Sequence, residues 1–296
     1  MKLGILGLSE GNGHPYSWSA IFNGYDRELM ESCGFPTIPR YLELQKWPES
    51  RICGAEVVTV WTQSEDLSRK IAASTKISKV VFDYEEMIGQ VDAVLLARDD
   101  SERHLDFASP FLREGLPVYI DKPIALSKAK IEEIYSFQQY EGQIFTCSSL
   151  RYSADVNLTD VALKELGPIS RLTGRCPKSW AKYGIHIVEP LLRLIADDDI
   201  IVKAKRFDPV SSLRGTGLYI SWASGVEMEL VATGRPNTPI SFCVEGKHGI
   251  ADLVFRDTFF SFRSALSDFI AGIKTGTIRS DRTFNERAVG ILERGM

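Results

Sequence analysis

The sequence predicts an α/β protein in two parts: an N-terminal doubly wound parallel sheet, and a C-terminal α+β domain with a large, mostly antiparallel sheet. Three observations carry this. Short apolar runs alternate with helical patterns over the first half, in the rhythm of strand, helix, strand. Those runs are apolar almost throughout, as strands covered on both faces must be. After about Ser149 the pattern changes to a period of two broken by hairpin turns. The expected boundaries are 1–123 for the first domain, with 124–148 completing its sheet, and 149–296 for the second.

Along the first half, KLGILGL, AEVVTVW, SKVVF, VDAVLLA, LPVYI and QIFTCS are bounded by turn residues and are the six expected strands. Between them SEDLSRKIAAS, DYEEMIG, ERHLDFASPFLREG and SKAKIEEIYSFQQYEG carry apolar residues at helical spacing and stop at Gly or a polar cluster. In the second half, 154–166 and 185–196 have helical spacing. IVKAKRF, GLYISWASGVEMELVAT and ISFCVEG alternate, with a turn at Ala223-Ser224-Gly225. The tail FRSALSDFIAGIKTG places Phe262, Leu266, Phe269, Ile270 and Ile273 on one stripe, the mark of a packing helix.

Composition narrows the function classes. At 296 residues, 44% apolar and 25% charged, the chain can bury a full core. A net charge of -4 offers no electrostatic footprint for nucleic acid or an anionic membrane, so a small-molecule partner is the default. The five cysteines are scattered, with no C-x-x-C pair and no His at ligand spacing; neither a disulfide framework nor a metal site is signalled. No apolar run approaches membrane-spanning length and the start lacks a cleavage pattern, so a cytoplasmic protein is expected.

The stretch ILGLSEGNGHPYSW links the first strand to a helix expected to begin near Ser17. A dinucleotide fingerprint, G-x-G-x-x-G, needs glycine for the turn, for the approach of backbone to pyrophosphate, and for helix packing. Aligned on Gly7, the second and third positions hold Ser9 and Asn12, so the strict pattern fails. Gly11 and Gly13 lie in the same turn, and Ser9 is small and can donate a hydrogen bond, so a rearranged loop can still aim N–H groups at phosphate. A strand-to-helix turn that binds nothing is the alternative. The acidic ribose grip expected after the second strand is replaced by Thr62. Its loss removes a repulsion toward a 2′-phosphate and leans toward NADP over NAD; an N-cap role for Thr62, with Glu65 three residues on, is an equal alternative. Residues 33–54, with Pro36, Pro39, Tyr41, Trp47 and Pro48, form a long connection of the kind that is functional or a subunit contact.

EGLPVYIDKPIALS, a fifth strand running into Asp121-Lys122-Pro123, resembles the glucose-fructose oxidoreductase / inositol dehydrogenase / MocA family, whose hallmark here is Glu-Lys-Pro. Arg151-Tyr152, GIHIVEPLLRLI and the tail helix extend the likeness over nearly the whole chain. The resemblance implies a Rossmann-like nucleotide domain and a nicotinamide cofactor, NAD or NADP. It also implies a dimer or tetramer built on the open sheet. It places on Lys122 the contact to nicotinamide ribose and substrate hydroxyl, with Pro123 in a cis bond that aims it. The family's D-x-G-x-H reads KYGIH here: Gly184 and His186 match, but Lys182 replaces the Asp. In the family's register ARDDSERH puts His104 one residue late, on a helix facing water, with Asp99 and Asp100 in a turn near the cofactor.

The reading is thus an NAD(P)-dependent oxidoreductase acting on a sugar, cyclitol or sugar-derived substrate, anionic or nucleotide-linked ones included. Lys122 and His186 hold the hydroxyl, and one of them takes its proton. Lys182 tunes or anchors, because two ammonium groups in one cleft would depress a pKa and attract an anion. Gly7, Ser9, Gly11, Gly13, Thr62, Arg98, Asp121, Lys122 and Pro123 are expected at the cofactor, and Arg151, Trp180 and Tyr183 at the substrate; Arg98, Arg151 and Arg175 would add to an anionic preference. The rival is a non-catalytic member that senses a nucleotide or sugar.

Overall fold

Six strands pair in parallel in the order β3-β2-β1-β4-β5-β6: β1 (Lys2–Leu6), β2 (Glu56–Trp61), β3 (Lys79–Val80), β4 (Ala93–Leu96), β5 (Val118–Ile120) and β6 (Ile144–Phe145). They are the six runs the sequence marks. The chain, described by a computed structural model over residues 1–209 and 215–296, divides into two units. The first comprises Met1–Ile124, Glu132–Thr146 and Phe262–Asp281; the second comprises Ala125–Ile131, Cys147–Ser261 and Arg282–Met296.

In the first unit the central strands are sealed: Leu3, Ile5 and Leu6 of β1 and all of β4 are buried. Around them run α1 (His14–Asn23), α2 (Arg27–Glu31), α3 (Thr37–Glu43), α4 (Glu65–Thr75) and α5 (His104–Arg113). α1 starts at His14, three residues before the expected start, because Pro15 is suited to the first turn, where no N–H is needed. α4 is capped by Ser64, whose hydroxyl accepts from Leu67 N, with Glu65 and Asp66 favourably placed in the first turn. The cap is therefore Ser64 and not Thr62.

The long connection folds onto α1. Tyr41 donates to Ser17 Oγ, Ile52 N donates to Ile21 O at 3.0 Å, and Arg51 Nε donates to Phe22 O at 2.9 Å. Ile38 and Leu42 are buried, and the Trp47 ring meets Tyr25 edge-on. It thereby braces the glycine loop, since a Cβ on Gly13 would stand 2.6 Å from Ile38 and 2.7 Å from Phe35.

The second unit has the sheet order β12-β11-β7-β10-β9-β8. Its strands are β7 (Ile169–Cys176), β8 (Ile201–Phe207), β9 (Thr216–Trp222), β10 (Glu227–Ala232), β11 (Ser241–Gly246) and β12 (Gly249–Val254). All neighbours are antiparallel except β7 and β10. The helices after β5 are α6 (Lys128–Tyr135), α7 (Asp160–Leu166), α8 (Trp180–Tyr183), α9 (Ile185–Leu192), α10 (Thr258–Thr275) and α11 (Arg282–Arg294). α9 seals the sheet by close approach: a Cβ on Gly174 of β7 would lie 3.0 Å from Ile187 and 3.1 Å from Leu191. Leu172, Leu218, Ile220, Met228 and Leu230 form the core beneath it with Leu292 of α11. The tail helix α10 packs from Phe262 onward on the first unit, where Phe269 meets the rings of Tyr119 and Phe145.

Replacing Gly13 with Ala should cost about 1–3 kcal/mol of unfolding free energy by overpacking. Truncating Phe35 to Ala in the same chain should recover part of that loss in a denaturant double-mutant cycle. Additive effects would mean the connection does not brace the loop.

Candidate functional site

In open parallel sheets, ligands bind beyond the carboxyl ends of the strands. In the first unit the segments following β1, β4 and β5 meet there in one hydrogen-bonded network. At its centre is Asp121, 1% exposed. Its Oδ1 accepts from Lys122 N at 2.8 Å; its Oδ2 accepts from Asn12 Nδ2 at 2.8 Å and bonds His14 Nδ1 at 2.5 Å. Burial pushes the carboxyl up, but the His14 ring, the Lys122 charge and the Asn12 amide together outweigh it and hold Asp121 down at about 2. The His14 ring lies stacked on Trp18 and edge-on to Phe262.

The rest of the network hangs on Asp99. Ser9 Oγ donates to Asp99 Oδ1 at 2.6 Å and accepts from Asp99 N at 3.0 Å. Lys122 Nζ stands 3.8 Å from Asp99 Oδ2, so in this unit its charge faces a carboxylate. The Lys122–Pro123 bond is cis. Ser9 is thus committed through its hydroxyl, and what the loop offers an anion is backbone. Among the described residues the N–H groups of Ser9, Gly11 and Gly13 have no hydrogen-bond partner. Gly11 adopts φ +77°, and a Cβ there would meet nothing within 4 Å, so the turn is open above it. Gly7 is closed, its N–H spent on Trp61 O and its Cβ direction filled by Pro15. These features fit the middle of a dinucleotide: partnerless amides at a turn leading into a helix N-terminus.

Two residues expected at the cofactor are spent on the fold. Thr62 is buried, its hydroxyl donating to Ser64 O at 2.7 Å and sharing a bond with Ser68 Oγ. Arg98 is buried and grips Asp100 with Nε and Nη2, at 2.9 and 2.6 Å, while Nη1 reaches Leu8 O and Gln63 Oε1. Burial opposes the Asp100 charge, yet Arg98 lowers its pKa on balance. Gln63 completes the clasp by donating to Leu8 O at 2.8 Å and accepting from Leu8 N. It is a residue the sequence reading missed; only its place directly after β2 marks it. His104 does not face water. It is fully buried, with Nδ1 at Ile124 O and Nε2 at Arg98 O, 3.0 and 2.8 Å away.

In the second unit His186 lies in the first turn of α9, buried, with Nδ1 2.8 Å from Ser148 Oγ. Tyr183 meets its ring edge-on at 5.3 Å and accepts from Lys178 Nζ. Lys182, half-buried, is on α8. Arg151 is tied into this unit: Nε donates to Glu189, Nη2 donates to Asn285 Oδ1 at 2.7 Å, and the guanidinium covers Phe284. Burial works against its charge, but Glu189 more than compensates and raises the pKa. Trp180 is buried and donates to Leu292 O at 2.7 Å, which makes it packing rather than surface. Arg175 is exposed on β7.

Among the described residues no three His, Cys, Asp or Glu side chains gather as metal ligands, and no helix is long and apolar enough to cross a membrane.

Comparison with known proteins matches part of the chain to a family. Residues 33–148 match the model of the GFO/IDH/MocA oxidoreductase family, described as having an NAD-binding Rossmann fold. A protein named as a UDP-kanosamine synthase oxidoreductase subunit, from Amycolatopsis mediterranei, is 32% identical over 66 residues, 22% of this chain and 18% of that protein. The match therefore spans about a fifth of that relative's length. Among solved structures, myo-inositol 2-dehydrogenase from Lactobacillus plantarum superposes with a TM-score of 0.72 at 14% identity, over 99% of this chain and 95% of that one. UDP-N-acetylglucosamine 3-dehydrogenase from Acidithiobacillus ferrooxidans gives 0.70 at 11%, over 100% and 96%. Biliverdin reductase from Synechocystis, in complex with biliverdin and NADP+, gives 0.70 at 14%, over 99% and 96%. At such identities the superpositions establish the fold.

Two outcomes follow from the buried charges. Asp121 is lowered in the folded chain from an ordinary 3.8 to about 2, so its stabilising contribution is present above about pH 4 and lost as pH falls toward 2. Acid titrations of unfolding free energy should show wild type losing about 2 kcal/mol more than Asp121→Asn over that window. Glu189→Gln leaves the Arg151 guanidinium buried without its carboxylate and should cost about 3–5 kcal/mol by chemical denaturation.

Proposed function

We propose that this chain, whose residues 33–148 match the model of the GFO/IDH/MocA oxidoreductase family, is an NAD(P)-dependent dehydrogenase or reductase acting at a hydroxyl or carbonyl carbon of a sugar, cyclitol or sugar-derived substrate. The carrying observation is the network that joins the segments after β1, β4 and β5 through Asp99 and Asp121 and holds Lys122 at the end of the parallel sheet. That is where the fold class takes its ligand.

The dinucleotide supplies the two-electron acceptor or donor. The roles of this chain are to bind, orient and move a proton. The amides of Ser9, Gly11 and Gly13 take the pyrophosphate. Lys122, with Asp121 and the cis Pro123 fixing its backbone, reaches the nicotinamide ribose and the substrate hydroxyl. In the second unit His186, held by Ser148 and met edge-on by Tyr183, is the residue assigned to the substrate. The curated relative and one of the solved neighbours are named for UDP-sugars, and another for an inositol, which supports a polyhydroxylated substrate. The chain works as a homodimer or homotetramer through its open sheet.

Thermal unfolding with NADH and with NADPH tests the reading, because a ligand of the folded state raises the midpoint. At least one should do so, and a shift with NADPH alone would favour NADP. Lys122→Ala should lower kcat by about 10²–10⁴ on whichever of myo-inositol, scyllo-inositol or UDP-N-acetylglucosamine is turned over, with dinucleotide affinity only partly weakened. Binding without turnover in the wild type would favour the non-catalytic sensor; no binding of either nucleotide overturns both readings.

A further inference from the structure

Lys182 stands four residues before His186, where the D-x-G-x-H pattern has an aspartate, and the Nδ1 of His186 meets a hydroxyl. A carboxylate-backed histidine is nonetheless present, at another point of the chain. We propose that His14, oriented by Asp121, is the proton-transfer residue of the reaction, its Nε2 taking the proton of the substrate hydroxyl. The proposal rests on the oxidoreductase reading above.

Geometry fixes the tautomer. Asp121 is ionised, and an ionised carboxylate only accepts hydrogen bonds. The 2.5 Å contact with Oδ2 therefore requires the proton on His14 Nδ1. Whenever the ring is neutral, this arrangement puts its lone pair on Nε2, which has no hydrogen-bond partner among the described residues; the side chain is 17% exposed. The ring is held in orientation by stacking on Trp18, by the edge of Phe262 and by the bond from His14 N to Asn12 Oδ1 at 2.8 Å. When Nε2 gains a proton, the imidazolium forms beside a buried counter-charge, the same division of labour by which a carboxylate supports a catalytic histidine elsewhere. Asp121 also fixes the backbone of Lys122 through Oδ1, so one carboxylate sets both the base and the lysine beside which the hydroxyl is bound.

In the oxidation direction the carbinol C–H bond breaks and its electron pair passes as hydride to C4 of the oxidised nicotinamide. The O–H bond breaks with its proton passing to His14 Nε2, and the carbonyl π bond forms. The imidazolium later returns that proton to solvent. Reduction runs the same transfers backwards.

Two measurements test this. In long-range ¹H–¹⁵N spectra of histidine-labelled protein at mildly alkaline pH, with His14→Gln identifying the signals, His14 should be the Nδ1–H tautomer. Its proton should be far downfield, and that signature should vanish in Asp121→Asn. An Nε2–H tautomer in the wild type overturns the proposal without any substrate being known. In steady-state assays with a substrate from the panel above, His14→Gln should lower kcat by about 10²–10⁴. The NADH dissociation constant, read by fluorescence, should stay within about threefold, and added imidazole should restore part of the rate to His14→Ala. A kcat within about fivefold of wild type in a folded His14→Gln chain overturns the proposal. Failure of the wild type to bind either dinucleotide sinks the oxidoreductase reading itself; binding with the wrong tautomer sinks the His14 assignment alone.

Discussion

The carboxylate of Asp121 is the constraint on which the carboxyl end of the parallel sheet is arranged. It is a buried charge, and a buried charge persists only where its oxygens are met by donors. The three that meet it come from separate places: Asn12 from the glycine loop, His14 from the start of α1, and the Lys122 amide from its own segment. Satisfying one side chain therefore fixes the path of the loop relative to the end of β5. Asp99 repeats the device one strand over, tying Ser9 of the loop to the end of β4 and standing opposite Lys122. The two aspartates replace with side-chain bonds what a regular glycine fingerprint achieves through close backbone packing.

Parallel strands were legible because they are buried on both faces and so are apolar throughout; all six runs marked in the sequence became β1 to β6. The second sheet was harder. β7 and β12 passed unread: β7 carries Arg171 and Arg175 on its open side, Gly174 at the approach of α9, and a mixed burial pattern, while β12 alternates between half-buried and exposed positions, so neither shows an apolar run. α7 begins at Asp160, capped by Thr159, because the residues before it form a turn after the short helical turn at 149–152. α2 and α3 went unread for a different reason. Each is short, and their stability lies in packing on neighbouring helices, α2 on α4 and α3, and α3 tied to α1 through Tyr41, which local periodicity does not encode.

The site residues were legible as positions more than as partners. Motif spacing put Lys122 at the end of β5, and the structure has it there; nothing in a linear pattern says that Ser9 spends its hydroxyl on Asp99, ninety positions away. The same holds for the arginines. Arg98 and Arg151 looked available for an anionic substrate, but each is neutralised within its own unit, by Asp100 and by Glu189. A paired, buried guanidinium organises the backbone around it and lends little field to a ligand. These two arginines therefore carry no case for an anionic substrate.

The family match begins at residue 33, beyond the glycine loop, and that is physically coherent. In a regular fingerprint the loop has one short path, and glycine is needed because nothing else fits it. Here the loop is wider: Gly7 and Gly13 are held against Pro15 and against Phe35 and Ile38, while Gly11 stands clear at the crown. A wider loop has to be supported, and two supports are present: the connection folded on α1 and the Asp121 network. His14 is part of the second support. The carboxylate that ties this residue to the loop network also engages its Nδ1 and leaves Nε2 as the ring's other nitrogen. Lys182 stands four residues before His186, and the histidine that is backed by a carboxylate, His14, lies in the first unit.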